Sequence, residues 1–212
     1  YSEAGQGYIN GILKPKYDAQ KDIYMDFLKE LEEAVAQIGA STTLGVSDLV
    51  FQGDTAKWKA WGNSMMLRLA MRLSKVDAAT AQAWAEKAAP NTMTSNDHIA
   101  MIAHTDGPEG INKNGHGEVF DADGNPRMSK TFVDWLKDDP RLPILAARRS
   151  DGSTAIADLI GMPNGSTGVT VPDTSIYAEP NRNVITGRAV PMVLQTYAEV
   201  RLLKAEMAQR GW

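Results

Sequence analysis

A helical hairpin between residues 53 and 90 constrains the fold of this chain more than any other feature. Asp54 is placed to cap a first helix, because its carboxylate accepts hydrogen bonds from the amides that a helix start leaves unpaired. Asp77 is placed to cap a second helix, from Ala78 to Ala89, which Pro90 ends. Between the two caps, apolar side chains recur at helical spacing, namely Trp58, Trp61, Met65, Leu69 and Leu73. The length of the hairpin and the spacing Trp58-x-x-Trp61-Gly62-x-x-Met65 parallel a tetratricopeptide repeat.

Three further stretches carry helix signals. From Asp18 to Ile38, apolar side chains form one stripe at helical spacing. Ser129 is placed to cap a short helix that Pro140 ends. The last helix is predicted to start at Pro191 and to end at Gly211. Helices at both ends of the chain predict a mainly α fold.

The section from residue 91 to residue 190 has little periodicity. Glycine, asparagine, aspartate and proline accumulate there, which is typical of turns and loops. Short extended segments are predicted at Ile99–Ile102 and at Glu118–Phe120, the second entering a turn at residues 121–125. The sequence therefore predicts a helical scaffold that carries a long, irregular, loop-rich part.

Composition excludes several classes of partner and site. The 212 residues carry a formal net charge of -4, which argues against nucleic acid, since phosphate binding needs a concentrated basic surface. The chain has no cysteine, so it forms neither a disulfide nor a thiolate metal site. No apolar run approaches the length of a membrane span, about 18 residues, and the amino terminus has no signal sequence.

The residues that usually carry catalysis do not form a recognisable constellation. His98, His104 and His116 are spaced by six and twelve positions instead of the i, i+4 spacing of a helical zinc site. The nucleophile elbow, the phosphate-binding loop and the dinucleotide fingerprint are all missing from the sequence. We therefore expect no catalytic residues, no cofactor and no metal ion, and we interpret the protein as a non-enzyme.

Two acidic patterns need separate interpretation. The segment Asp121-x-Asp123-Gly124-Asn125 is superficially similar to a calcium loop, but its glycine comes two places early and no glutamate follows at the required distance. Glu199 and Glu206 lie seven positions apart on one helix, whereas paired glycosidase carboxylates must flank a bond in a cleft. We expect a turn in the first case, and packing or capping glutamates in the second.

Five separated segments, in the right order, resemble the SusD/RagB-like proteins, which are surface glycan-binding lipoproteins of Bacteroidota. The most specific segment matches the family pattern G-D-x-x-K-W…N-S-x-x-x-R-L-A-M-R-x-S-x-V-D. Another matches G-x-P-N-G, and two are close to S-x-x-F-V-x-x-L-x-x-x-D-P-R-L and T-Y-A-E-V-x-F-x-x-A-E-A-x-x-R-G-W. The segments are residues 15–24, 48–77, 129–142, 161–165 and 196–212.

The resemblance implies a SusD-like α/α superhelix of tetratricopeptide-like helical hairpins. It also implies that residues 1–212 are a fragment of a single SusD-like domain, truncated at both ends. Within that fragment, we expect a helical scaffold at residues 18–90 and 191–212, and a loop-rich part at residues 91–190.

The resemblance further implies a function in nutrient uptake. Such a protein captures oligosaccharides on the outer face of the outer membrane and delivers them to a SusC-like TonB-dependent transporter. It is an outward-facing lipoprotein whose lipid anchor lies outside this fragment. The scaffold would face the transporter, and the loops would hold the glycan. The alternative is a tetratricopeptide-type protein-protein interaction module without glycan binding, and a carbohydrate-active enzyme is a more distant one.

Candidate glycan-binding residues follow from the chemistry of sugars. Sugar rings stack their C–H faces on indole or phenol rings, while their hydroxyls pair with amide, carboxylate or guanidinium groups. Trp58 and Trp61 belong to the hairpin core, and Trp84 and Trp135 are expected to be half-buried helix residues. The freer ligand-binding candidates lie in the predicted loops: Tyr177, Asn181, Arg182, Asn112 and His116. Arg141, after a helix end, is expected to act as a structural clamp.

Overall fold

The computed structural model describes residues 1–40, 43–107, 112–124, 126–166, 171 and 173–212. Its helices are α1 (Gly7–Asn10), α2 (Gln20–Gln37), α3 (Thr55–Arg72), α4 (Ala78–Ala88), α5 (Gly115–Ala122), α6 (Lys130–Trp135), α7 (Leu142–Leu145) and α8 (Tyr197–Arg210). Its strands are β1 (Ala100–Ile102), β2 (Ala146–Arg148), β3 (Ala178–Pro180) and β4 (Met192–Gln195). The fold is mainly α, as predicted. Among the described residues, no helix combines the length and the apolar character that crossing a bilayer requires.

The chain divides into two compact units. The first contains Tyr1–Met101 and Val193–Trp212, and the second contains Ile102–Met192. In the first unit, β1 and β4 pair into a two-stranded sheet. The single SusD-like domain stays a prediction.

Helix α3 is the centre of the first unit. Asp54 caps it by accepting a hydrogen bond from the amide of Lys57, at 3.1 Å, and Asp77 caps α4 by accepting one from Thr80, at 3.2 Å. Both caps are those that the sequence predicts. Helices α2, α4 and α8 pack around α3. Its buried side chains include Leu67 and Ala70, which are fully inaccessible to solvent.

Gly62 allows α2 and α3 to touch. A Cβ atom at this position would lie 2.4 Å from Cγ2 of Val35 on α2, which is closer than two carbon atoms approach. Valine is stiff at its first side-chain torsion, so it cannot easily move aside. The glycine of the tetratricopeptide-like pattern therefore marks a helix-helix contact.

Phe51, Trp58 and Trp61 pack together at the start of α3, and we call these three residues the aromatic corner. The Asp48 carboxylate accepts hydrogen bonds from Trp58 Nε1, at 2.7 Å, and from the amide of Gly53, at 2.8 Å. The ring of Phe51 packs edge-on against Trp58 and Trp61, with centroids 5.4 and 6.0 Å apart. Both tryptophans pack against the buried core of the first unit, as the sequence predicts.

The second unit contains α6, α7 and a short two-stranded sheet formed by β2 and β3. Strand β2 pairs antiparallel with β3, so Ala147 lies opposite Glu179. Ser129 caps α6 by accepting a hydrogen bond from the amide of Phe132, at 3.2 Å. Gly161 packs on the backbone of Lys130, where a Cβ would lie 2.4 Å from Cα. The buried apolar side chains are Val133, Leu136, Leu142, Ala146, Leu159 and Ala178.

The extended segment predicted at Glu118–Phe120 is wrong, since these residues lie in α5. Asn114 caps this helix by accepting a hydrogen bond from the amide of His116, at 2.9 Å. Gly117 then packs on the backbone of Arg188, where a Cβ would approach within 2.6 Å. Cap and packing together outweigh the local strand preference. Of the calcium-like segment, Asn125 lies outside the described residues.

The predicted start of the last helix is also wrong. Pro191 precedes β4, and α8 begins only at Tyr197. Thr196 is the cap, because its hydroxyl accepts a hydrogen bond from the amide of Glu199, at 3.1 Å. The predicted end is confirmed, since Gly211 adopts the left-handed conformation with φ of 79°.

Candidate functional site

Tyr177 precedes β3 and is partly accessible. Its carbonyl oxygen accepts a hydrogen bond from the amide of Arg149, at 3.1 Å, which fixes the backbone. The phenol hydroxyl forms no hydrogen bond with any residue that the structure describes. Tyr177 therefore has a hydroxyl that no described residue engages, as a ligand-binding residue requires.

Asn181 is committed to its own turn. Only 8% of the residue is exposed, and its Oδ1 accepts a hydrogen bond from the amide of Asn183, at 3.1 Å. Its backbone amide donates to the carbonyl of Leu145, at 2.9 Å, and its carbonyl accepts from Ile185, at 2.8 Å. This side chain shapes the loop rather than projecting from it.

Arg182 is tied to two carboxylates. Its Nε donates to Oε1 of Glu179, at 2.9 Å, and its Nη1 donates to Oδ1 of Asp121, at 3.1 Å. Glu179 is only 5% exposed and receives two further guanidinium groups. Arg149 Nη1 lies 3.3 Å from Glu179 Oε2, and Arg127 Nη1 lies 4.0 Å from it. Three arginines thus surround one buried carboxylate, which we call the Glu179 cluster.

Burial and the interactions with Glu179 shift the pKa values of the arginines in the Glu179 cluster in opposite directions. Burial lowers the pKa of Arg127, and attraction to Glu179 opposes this effect. The hydrogen bond to Glu179 raises the pKa of Arg182. Arginine keeps its proton in proteins, so the guanidinium groups remain charged. The sequence analysis missed this cluster, because a glutamate in a three-residue strand carries no local sign of burial.

Asn112 and His116 have different environments. Asn112 Nδ2 donates to the carbonyl of Ala103, at 2.7 Å, and the Asn112 carbonyl accepts from the amide of Thr105, at 3.0 Å. These contacts hold Asn112 against residues 103–105, so Asn112 has a structural task. His116 lies in the first turn of α5, is exposed, and forms no side-chain hydrogen bond with a described residue. His116 is therefore available to a ligand.

Helix α5 is held against the segment that follows β3. Asn114 Nδ2 donates to the carbonyl of Val190, at 2.7 Å, and Asp121 pairs with Arg182 as given above. Asp121 also lies 2.7 Å from Nε of Arg188. The structure therefore places the helix that carries His116 beside the Arg182 segment. None of the five candidate side chains forms a hydrogen bond or ion pair with another of the five.

Phe132 and Trp135 on α6 form an exposed aromatic pair. Trp135 was expected to be half-buried, but 79% of it is exposed, so that prediction is wrong. Phe132, one turn earlier on α6, is 38% exposed. Phe132 and Trp135 are three positions apart and so are neighbours on the helix surface. Trp135 follows the buried Val133 by two positions, about 200° around the helix, so these two side chains point in nearly opposite directions. This spacing is the signal that Trp135 faces away from the buried side chains.

Polar groups accompany this aromatic pair along the chain. Lys130 and Asp134 form an ion pair on α6. Arg141 Nη2 donates to Oδ2 of Asp139, at 2.6 Å, which makes Arg141 the structural clamp that the sequence predicts. The hydrogen bonds from Arg141 lower the pKa of Asp139 to about 2. The segment therefore offers apolar rings together with permanently charged groups.

Glu199 and Glu206 are the two glutamates on α8 whose spacing required separate interpretation. Glu199 pairs with Arg68 and Glu206 pairs with Arg210, so each of the two glutamates is engaged by an arginine. In the part of the chain that the structure covers, no group of three or more histidine, aspartate or glutamate side chains is placed to hold a metal ion.

Comparison with known families gives one match, which spans residues 1–212. That family is the SusD-like group described as starch-binding and associating with the outer membrane. No curated protein matches the chain.

Solved structures of similar fold are available. A chitin-binding SusD homologue from Flavobacterium johnsoniae is 27% identical, with a TM-score of 0.80 over 100% of this chain and 43% of its own. A second structure, described as a chitin-binding protein, is 32% identical, with a TM-score of 0.73 over 95% and 46% of the two chains. A SusD-like protein from Bacteroides thetaiotaomicron is 25% identical, with a TM-score of 0.76 over 94% and 42%. This chain thus spans less than half the length of each of these structures.

Proposed function

This chain belongs to the SusD-like family, and on that premise we propose that the protein binds oligosaccharides at the bacterial cell surface without chemically altering them. Residues 1–212 form part of a single SusD-like domain in this proposal. The loop-rich section contributes to the glycan contact, and the helical section serves as its scaffold. No cofactor is required, because capture needs only stacking surfaces and hydrogen-bonding groups.

The exposed indole of Trp135 is the observation that carries the proposal. An indole with 79% of its surface in water is costly to solvate and is suited to stack on the apolar face of a sugar ring. Phe132 extends the apolar strip by one helical turn. Tyr177 and His116, whose side chains form no hydrogen bond with a described residue, supply polar groups for sugar hydroxyls on other segments of the second unit.

A separate argument supports the proposal that the protein does not hydrolyse its glycan. A glycosidase needs two carboxylates, about 5–10 Å apart, on either side of the scissile bond. Here Arg68 engages Glu199 and Arg210 engages Glu206, so these two carboxylates serve as ion-pair partners. The Glu179 carboxylate is buried among three arginines. These arrangements support binding over hydrolysis.

The family supports the proposed location. Its description associates these proteins with the outer membrane. We propose an outward-facing lipoprotein whose lipid anchor lies outside these residues, and which passes its glycan to a SusC-like TonB-dependent transporter. Co-purification of the tagged full-length protein with such a transporter from the outer-membrane fraction tests this. Recovery of the protein without any transporter would contradict the partner.

Binding should be measured first with chito-oligosaccharides, because two of the similar structures are described as chitin-binding. A glycan array on the full-length protein, followed by calorimetry, should give a dissociation constant between micromolar and millimolar, about -8 to -4 kcal/mol. Little salt dependence is expected, since the ligand is uncharged. Glycan products of shorter length after incubation would contradict the proposal that the protein is not an enzyme.

The variant Trp135→Ala tests the proposed stacking surface. We expect affinity to fall about tenfold or more, on the scale of the about 1–3 kcal/mol that an aromatic side chain contributes when a nucleic-acid base stacks on it. The melting temperature should stay unchanged, since the side chain is exposed. Leu202→Ala is the matched control, because Leu202 is 72% exposed and lies on α8. Equal affinities of the two variants would contradict the role of Trp135.

The candidates in the loops need single substitutions. Replacing Tyr177, Asn181 and Arg182 together would confuse binding with folding, because Asn181 and Arg182 hold the loop and the Glu179 cluster. Tyr177→Ala and His116→Ala leave those contacts in place. We expect each to weaken glycan binding more than it lowers the melting temperature. Unchanged affinity in both variants would contradict the choice of these two residues.

The alternative is a protein-protein interaction module. It is favoured by the same exposed Trp135, since tryptophan is enriched among the residues that dominate protein interfaces. The two functions separate on the glycan array and in the co-purification. Loss of the transporter, but not of glycan, in Trp135→Ala would favour the interaction module for this surface.

A further inference from the structure

A cavity of about 300 Å³ lies in the first unit, between the start of α2 and the end of α3. This volume is at the lower end of the range for ligand pockets, about 300–1,000 Å³. Its apolar lining comes from Met25, Leu73 and Val76, and its polar lining includes Arg72 and Tyr24. The cavity thus combines an apolar surface with groups that donate hydrogen bonds.

Arg72 is the unusual member of this lining. It is exposed and forms neither an ion pair nor a hydrogen bond with any residue that the structure describes. A guanidinium group carries five N–H donors in a planar fork, which matches the two oxygens of a carboxylate. A position in the last turn of α3 accounts for a positive charge, through the helix dipole, but not for this geometry.

The groups around Arg72 have unused hydrogen-bonding capacity. The Tyr24 hydroxyl and the Gln20 side-chain amide have no hydrogen-bond partner in the described part of the chain. Lys21 Nζ lies 3.6 Å from Asp77, whose carboxylate also caps α4. Among the described residues that line the cavity, Lys21 and Arg72 are the cations and Asp77 is the one carboxylate, which is already engaged.

We propose that this cavity binds the carboxylate group of a ligand. Arg72 receives the two oxygens in a bidentate pair, the Tyr24 hydroxyl donates to one of them, and the rest of the ligand lies against Met25 and Leu73. Two sources supply such a group, an acidic sugar and an acidic protein side chain. The inference does not rest on the proposed function, because none of these residues belongs to the glycan surface around Trp135.

The test observes Arg72 directly in the full-length protein. With arginine labelled at Nε with ¹⁵N, the Nε–H signal of Arg72 is followed by NMR during titration. The probes are glucuronate and an N-acetylated, C-amidated glutamate, with glucose and the glutamine analogue as neutral counterparts. We expect the Arg72 signal to shift in a saturable manner with at least one carboxylate probe, and to stay in place with its neutral counterpart.

Two variants separate the contribution of the hydrogen-bonding geometry in the cavity from the contribution of the positive charge of Arg72. Arg72→Lys keeps a cation at the end of α3 but loses the bidentate geometry, so affinity for the carboxylate probe should fall about tenfold or more. Tyr24→Phe should weaken it by a smaller factor. Arg201→Lys is the control, because Arg201 is likewise exposed and forms no ion pair with a described residue. It should bind as the unaltered protein does.

Each outcome decides the inference. Response to glucuronate alone supports it with an acidic sugar as the source, and response to the glutamate derivative alone supports it with a protein side chain. An unmoved Arg72 signal, equal shifts with the neutral probes, or unchanged affinity in Arg72→Lys would overturn it. An Arg72 already paired, in the full-length protein, with a carboxylate outside these residues would overturn it as well.

Discussion

Arg68 and Glu199 are 131 residues apart in the sequence and form a two-pronged ion pair. Arg68 Nε donates to Oε1 at 2.5 Å, and Nη2 donates to Oε2 at 2.6 Å. The same Nη2 also donates to the carbonyl of Leu194, at 3.1 Å. One guanidinium group therefore joins α3, α8 and the strand that precedes α8.

Breaking this ion pair should destabilise the protein. We expect Glu199→Gln to lower the free energy of unfolding by about 1–3 kcal/mol, because hydrogen bonds to charged groups contribute about that much. Urea titration monitored by circular dichroism measures it, and a double-mutant cycle with Arg68→Met isolates the coupling. Glu206→Gln is the control, since its pair with Arg210 is exposed. Equal losses in the two glutamine variants would contradict the prediction.

Asp48 should make stability depend on pH. Burial raises the pKa of its carboxyl, but hydrogen bonds from Trp58 and from the amides of Gly53, Val50 and Phe51 outweigh this and hold the pKa below its ordinary value. Asp48→Asn should therefore lower the free energy of unfolding by about 1.5–3 kcal/mol at neutral pH.

The sign of the pH effect follows from this lowered pKa. The stabilisation by Asp48 is fully present above the ordinary pKa of 3.8, and it is lost as the pH falls through the lower pKa of the folded state. Denaturation at a series of pH values should show the two proteins converging below pH 3.8. Asp97→Asn, at an exposed carboxylate, serves as the control. A difference that is constant with pH would contradict the assignment.

Two substitutions of Trp61 should separate the stability that its packed ring contributes from the cost of its unpaired Nε1–H donor. It packs against Phe51 and Trp58, and its Nε1 is buried without a partner among the described residues. Trp61→Ala should cost about 3–5 kcal/mol, because it empties the aromatic corner. Trp61→Phe keeps a ring and removes the unpaired donor, so its cost should be below about 1.5 kcal/mol. Similar losses in both variants, measured by urea unfolding, would contradict this interpretation.

The Glu179 cluster should be intolerant of charge loss. Glu179→Gln leaves three guanidinium groups around a neutral amide, and breaking a buried ion pair in this way costs about 3–5 kcal/mol. The measurement is thermal and urea unfolding of the full-length protein. Glu33→Gln, on the exposed face of α2, serves as the control, because its contact with Lys29 is exposed. A Glu179→Gln variant as stable as this control would show that the arginines do not depend on Glu179.

Local signals in the sequence predicted the helical part of the fold well. The caps at Asp54, Asp77 and Ser129 are in place, since each relies on contacts within four residues of the chain. The start of α8 was misplaced because β4 forms only by pairing with a strand about ninety positions earlier, which local periodicity cannot register. Helix α5 was missed for the same reason, since Gly117 packs on distant backbone.

The candidate site was harder to predict than the fold. Tyr177 and His116 are accessible, but the side chains of Asn181 and Arg182 are engaged by the protein, and their loop composition gave no sign of it. Trp135 was excluded by the assumption that apolar helix residues face inward. The position of Trp135, two residues after the buried Val133, corrects this, because it places the two side chains on nearly opposite sides of the helix.

Gly62 is the position at which α3 packs closely on Val35 of α2. Arg72 lies ten residues further along α3, about 15 Å at the rise of an α-helix. Since α2 runs antiparallel to α3, its far end carries Tyr24 to the cavity beside Arg72. A side chain at position 62 would have to displace Val35, and with it α2, from α3. Because the same two helices line the cavity, a substitution at Gly62 would disturb the cavity walls without contacting them.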